Sequence, residues 1–258
     1  VLGVAARPGS FVAMTVLQTI LLPAAGIVTV LATGPPPAVS LAILLIAACP
    51  GGGISNLYVL FARANTSLSV LMTLTSIALA SLTLPGALAA IRWLGFETIA
   101  EGVSPAALAL KLIGFIVVPV AIGMALRAYA AGLASRWEER LRTASALMIL
   151  AILAAILWLE RAAVLAMLPQ MALSAAVFLG LALLLGMVVG RIFYSSSGDR
   201  FAVMTEFAVR NLAIGVFVAV GLVGDVTFAG LAAIYLLLEA VILILLALAR
   251  RGRSVPVH

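Results

Sequence analysis

The chain has 258 residues, of which 65% are hydrophobic and 9% charged, with a formal net charge of +6. A soluble domain carries roughly 25% charged residues, so this chain cannot cover a water-facing surface and reads as an all-α membrane protein. The histidine is the terminal His258 and the cysteine is Cys49, which argues against a Ser-His catalytic site, a histidine or multi-cysteine metal centre and an intrachain disulfide.

At about 20 residues per crossing, the length allows about seven to nine spans. Apolar runs and their breakers place them. The first span runs from about Ser10 to Ala32 and stops at Gly34-Pro35-Pro36-Pro37. The second starts near Ala38, is interrupted at 49–53 by Cys49-Pro50-Gly51-Gly52-Gly53, and resumes to Phe61. The third covers Thr66 to Ile91 and the fourth Pro105 to Tyr129. The polar stretch Arg136 to Arg142 reads as interfacial, ahead of a fifth span over Thr143 to Leu159. The sixth covers Val164 to Phe193. The seventh begins near Asp199, is interrupted at 206–211, and ends near Val223; the eighth covers Val226 to Ala249.

About eight crossings put both chain ends on one side. The loops of that side hold Arg7, Arg63, Arg127, Arg136, Arg140, Arg142, Arg191, Arg200, Arg250, Arg251 and Arg253, against Arg92 and Arg161 opposite. This bias predicts cytoplasmic ends and accounts for the positive charge without nucleic acid. No cleavable signal peptide is apparent, and the opening at Val1 predicts further sequence upstream.

The two interruptions carry the functional signal. Backbone that leaves the helix inside hydrocarbon strands polar groups at several kcal/mol each, so it survives only inside protein or beside a watery cavity. Pro50 removes a donor, three glycines follow, and Ser55 and Asn56 come directly after. The second interruption gathers Glu206, Arg210 and Asn211 within an apolar run. Ionisable groups at that depth mark a pathway or a structural ion pair. Arg210 is expected to be partnered by Glu206 or Glu239.

Each broken span is the middle one of three, and two spans separate the triplets, so the triplets are expected to be inverted. Inverted repeats with matching broken helices point to a secondary transporter with a midplane site. The expected division is a first core repeat over 1–91, two panel-type spans over 92–160 and a second core repeat over 161–258. Gln18 lies in the first span, and Ser69, Thr73 and Ser76 share one face of the third. With Ser55, Asn56 and Glu206 they form a set of hard oxygen ligands around one carboxylate, which suits a small alkali cation.

These residues resemble the bile acid:sodium symporter family. Cys49-Pro50-Gly51-Gly52-Gly53-Ile54-Ser55-Asn56, Arg63, Asn65 and Leu68-Ser69-Val70 with Thr73 resemble its first crossover. Glu206-Phe207-Ala208-Val209-Arg210-Asn211 resembles its second, and Leu17-Gln18 with Pro23 the helix before the first. The resemblance implies a bacterial inner-membrane symporter of an organic anion. Its coupling ion would be sodium, and it would need no other cofactor. Ten helices in two inverted repeats are implied, of which this chain would lack the first two. It also implies a sodium site at Ser55, Asn56, Ser69, Thr73 and Glu206, and a second cation site at Gln18, Glu206, Phe207, Val209 and position 210. Gly53 and Asn211 would face the substrate. The family's usual glutamine is here Arg210 and its usual threonine Gly53. A guanidinium has only donors and cannot ligate sodium, so the second site is expected to be lost.

The alternatives are a proton-coupled or sodium-independent transporter using Glu206 and Glu239, a channel, and a membrane enzyme. The sequence supplies no nucleophile–base pair for an enzyme and does not indicate the oligomeric state.

Overall fold

The computed structural model describes residues 8–93, 107, 110, 111, 113–220 and 227–253. Among them the named elements are all helical. In chain order they are α1 (Pro8–Thr33), α2 (Pro37–Ala48), α3 (Ser55–Phe61), α4 (Thr66–Trp93), a π-helical turn (Ile113–Val117), α5 (Val118–Tyr129), α6 (Ala131–Leu159), α7 (Arg161–Phe193), α8 (Ser197–Ala208), α9 (Leu212–Val218) and α10 (Thr227–Arg253). Three stretches are long and apolar enough to cross a bilayer, at Val12–Thr33, Arg161–Phe193 and Thr227–Gly252. Shorter apolar helices lie at Pro37–Ala48 and Thr66–Ala80. This is an all-α integral membrane protein.

Local chemistry sets the boundaries. Gly34 adopts φ +54°, open to glycine, and donates its N–H to Val30 O at 2.9 Å as α1 ends. Prolines then open α2, where a missing N–H costs no helical bond. Asn65 caps α4 by accepting from Leu68 N at 3.1 Å, while its amide donates to Asp199 Oδ1 at 2.7 Å. That bond ties the start of α4 to the start of α8.

The order long helix, broken pair, long helix occurs twice: α1, α2/α3, α4 and then α7, α8/α9, α10. The broken pairs exchange partners, because α2 packs on α10 and α8 packs on α4. Helix α2 is buried from Val39 through Ala48, so its all-round apolar surface faces protein rather than lipid. Outer faces of α1 and α10 expose stripes at helical spacing, including Val12, Val16 and Ile20, and Leu237, Val241 and Leu245. Helices α7 and α8 approach closely over Gly186 and Gly190. A Cβ on Gly186 would lie 2.7 Å from Met204 Cα, and one on Gly190 would lie 3.2 Å from Arg200 Cα. Two glycines four residues apart give this contact the small-residue seam that packs membrane helices.

Arg136 to Arg142 lies within α6, which runs unbroken from Ala131 to Leu159. One expectation needs correction. Glu206 is not in the second break; it lies in the last turn of α8, and the chain leaves the helix only at Val209. The expected start of the fourth span at Pro105, the end of the seventh at Val223 and the start of the eighth at Val226 lie outside the described residues.

Candidate functional site

The first break follows from Pro50 and three glycines, and the second from what the first offers it. Val209 is extended at φ −82°, ψ 117°. Gly51 and Arg210 face each other as an antiparallel bridge. Gly52 N–H donates to Val209 O at 3.1 Å, and Asn211 N–H donates to Pro50 O at 2.8 Å. The breaks therefore satisfy each other's backbone, which unpaired would cost several kcal/mol per group in hydrocarbon.

Side chains complete the set. Ser76 Oγ accepts from Gly51 N at 3.0 Å, and Tyr235 OH donates to Ala208 O at 2.5 Å. Asn211 caps α9 by accepting from Ile214 N at 3.2 Å. Glycine is required at two positions. A Cβ on Gly52 would lie 2.7 Å from Arg210 O, and one on Gly51 would lie 2.8 Å from Glu206 Oε2. At the exposed Gly53 a Cβ would meet nothing within 4 Å.

Glu206 reaches across from α8 to the first crossover and is fully buried. Its Oε1 accepts from Ser55 Oγ, from Ser69 Oγ at 2.5 Å and from Thr73 Oγ1 at 2.9 Å. Ser55 Oγ lies 3.4 Å from both Ser69 Oγ and Thr73 Oγ1. Four of the five residues expected to hold one cation thus meet at a single carboxylate oxygen. The fifth, Asn56, points a buried Oδ1 that has no hydrogen-bond donor, and Glu206 Oε2 also lacks one. Buried acceptors without donors are costly. A cation would supply what they lack, since each hydroxyl oxygen keeps a lone pair for it.

Gln18 Nε2 donates to the Glu206 backbone carbonyl at 3.0 Å, while its Oε1 has no donor. Phe207 is buried, and the Val209 carbonyl is engaged by Gly52. Arg210 is 5% exposed and donates through Nη2 to Cys49 O, the carbonyl just past α2. A cation there meets the negative end of the helix dipole.

The expected carboxylate pairing of Arg210 is not found. Arg127 and Glu138 form an exposed ion pair at 3.4 Å, whereas Arg210 forms none with Glu206 or Glu239. Glu239 is fully buried, and neither of its oxygens has a hydrogen-bond donor. The guanidinium instead goes to a carbonyl that the first break has freed. Cys49 O and Tyr235 are the functional contacts that residue types alone did not reveal. Tyr235 lies one turn before Glu239 in an apolar helix, and that spacing was its available signal.

The described residues contain no group of three or more His, Cys, Asp or Glu that could hold a metal ion. The ligands here are neutral oxygens with one acid. Residues 3–167 match the family described as the Sodium Bile acid symporter family. This chain belongs to that family. The match covers the first crossover, with Ser55, Asn56, Ser69 and Thr73, and ends before α8 and the second crossover. The sodium bile acid symporter family is one of membrane transporters rather than enzymes, and sodium is its coupling ion. A comparison with curated proteins finds no match.

Proposed function

We propose that this protein is a secondary active transporter that carries an organic anion with sodium by alternating access. The observation behind this reading is the Glu206 carboxylate, held by hydroxyls from the opposite crossover beside buried, donor-free oxygens. In this account Ser55, Asn56, Ser69, Thr73 and Glu206 bind one sodium. The ion would join α3, α4 and α8 by joining their ligands, so its binding and the position of the two crossovers are linked. Substrate would bind beside the crossovers near Gly53 and Asn211. Arg210, sharing a cavity with Gln18, would exclude a second cation by its own charge.

The architecture proposed is two inverted core repeats, 1–91 and 161–258, around two panel-type spans in 92–160, giving eight crossings with cytoplasmic ends in a bacterial inner membrane. The exchange of partners between α2/α10 and α8/α4 supports the repeat.

The test is counterflow uptake in proteoliposomes across a panel of organic anions, with sodium or choline as the cation. Uptake that rises with sodium is expected. Uptake indifferent to sodium but driven by a proton gradient would favour a second reading, proton coupling. Glu239, buried without a hydrogen-bond donor, is the observation on that side.

A further inference from the structure

The end of α7, the start of α8 and the end of α10 enclose a cavity of ≈620 Å³ that shares no lining residue with the two breaks. Arg191, Arg200 and Arg250, one from each helix, line it, and none of its described lining residues is acidic. Arg200 Nε donates to Tyr194 O at 2.7 Å. Arg250 Nη1 donates to Ser197 O and Oγ, each at 3.1 Å, and its guanidinium carbon lies 5.8 Å from the centre of the Phe201 ring. Arg191 is exposed. Asp199, the acid in the first turn of α8, is outside the lining, and its Oδ1 accepts from Asn65.

Charge and apolar surface are separated by depth in this cavity. Gly190 of α7 lies against Arg200 and Gly186 against Met204, so α7 and α8 run antiparallel. Arg191 and Arg200 therefore stand at one level, with Met187 and Met204 about 6 Å deeper, four residues at 1.5 Å each. On α10, Arg250 is tied to Ser197 at the start of α8, and Leu246 lies one turn deeper. Met187 and Leu246 are 38% and 37% exposed and continue outward into the apolar surface of Val188 and Leu245. In a bilayer that outer surface meets acyl chains.

Three guanidinium groups around one space repel one another, and phosphate oxygens are the anion their planar forks match. The N-terminus of α8 adds the positive end of its dipole at Ser197. A soluble phosphate would use the charged rim and leave the apolar floor bare, whereas a lipid covers both. A choline headgroup brings a cation that the arginines repel, so the match is to a lipid of net negative charge.

We propose that this cavity holds the headgroup phosphate of an anionic phospholipid, with Arg191, Arg200 and Arg250 around the phosphate and an acyl chain over Met187 and Leu246. Basic pockets between membrane helices suit such headgroups. The assignment rests on the membrane-spanning fold and is independent of the coupling ion.

The experiment is thermal unfolding of the purified protein in detergent, titrated with phosphatidylglycerol, with phosphatidylcholine of the same acyl chains, and with glycerol 3-phosphate. Phosphatidylglycerol should stabilise saturably, and phosphatidylcholine should need about tenfold more for half-effect. Glycerol 3-phosphate, which lacks the tails, should not stabilise. Arg191→Gln and Arg250→Gln should each raise the phosphatidylglycerol half-effect about fivefold. Arg136→Gln, at an exposed arginine of α6 outside the lining, should leave it unchanged. Ala249→Trp, which fills the cavity from α10 without altering charge, should abolish the response, and it decides the matter if the arginine variants do not fold. An unchanged response in Arg191→Gln or Ala249→Trp overturns the assignment, as does no response to phosphatidylglycerol. Equal effects of the two lipids overturn the preference for an anion. Loss in Arg136→Gln equal to that in Arg191→Gln would mean general surface charge and overturns the site. Stabilisation by glycerol 3-phosphate as strong as by phosphatidylglycerol would make it a site for soluble phosphates and overturns the lipid.

Discussion

Asn211 donates its backbone N–H to the Pro50 carbonyl at 2.8 Å, so the residue that caps α9 is held by the proline of the first break. Together with the Gly52–Val209 bond at 3.1 Å, this makes the two breaks one structure rather than two defects. Each interruption is tolerable because the other is present.

Gly52 tests that dependence. A Cβ there would lie 2.7 Å from Arg210 O, a backbone atom that cannot step aside cheaply. Gly52→Ala should destabilise the protein by about 1–3 kcal/mol. Gly53→Ala, with nothing within 4 Å of its Cβ, should be neutral within about 0.5 kcal/mol. The unfolding temperatures of the two variants decide it. Equal effects would contradict the bridge.

Tyr235 supports the crossing from α10 by donating to Ala208 O at 2.5 Å. Tyr235→Phe keeps the ring and removes the donor, leaving a buried carbonyl unpaired. The expected loss is about 1–3 kcal/mol of stability, read as a lower unfolding temperature. An unchanged value would mean the carbonyl finds another donor.

The division between what the sequence revealed and what it hid is physical. Gly34 to Pro37 and Pro50 to Gly53 act locally on backbone torsion and donor count, so the ends of α1 and α2 and the first break were legible. The second break has no such signal. Val209 to Asn211 is extended because Pro50 and Gly52 are there to pair with it, a tertiary cause. Glu206 was therefore assigned to the break when it belongs to α8. The oxygen cluster was legible, because Ser69 and Thr73 share a helix face and Ser55 follows the glycines. The partner of Arg210 was not. Charge predicts a carboxylate, while the structure offers the Cys49 carbonyl freed by Pro50.

The first crossover's ligands can be separated from the carboxylate. Asn56→Ala removes a buried oxygen that has no donor, and Thr73→Ala removes a hydroxyl 2.9 Å from Glu206 Oε1. Each should weaken apparent sodium affinity by roughly three- to tenfold, leaving anion binding intact at saturating sodium. Sodium-dependent thermal stabilisation measures this. Unchanged sodium dependence in both variants would place the ion elsewhere.

Glu206→Gln preserves shape and removes the negative charge from the cluster. It should abolish stabilisation by sodium while expression remains normal. A sodium response equal to that of the unaltered protein would remove Glu206 from the account.

The central claim is that Glu206 and the hydroxyls around it hold one cation, and that the Arg210 guanidinium takes the place of another. Equilibrium binding of radioactive sodium to the purified protein measures this without knowledge of the substrate. The account predicts saturation at one sodium per chain, loss of that ion in Glu206→Gln, and room for a second in Arg210→Gln. Two sodium ions bound to the unaltered protein would contradict it.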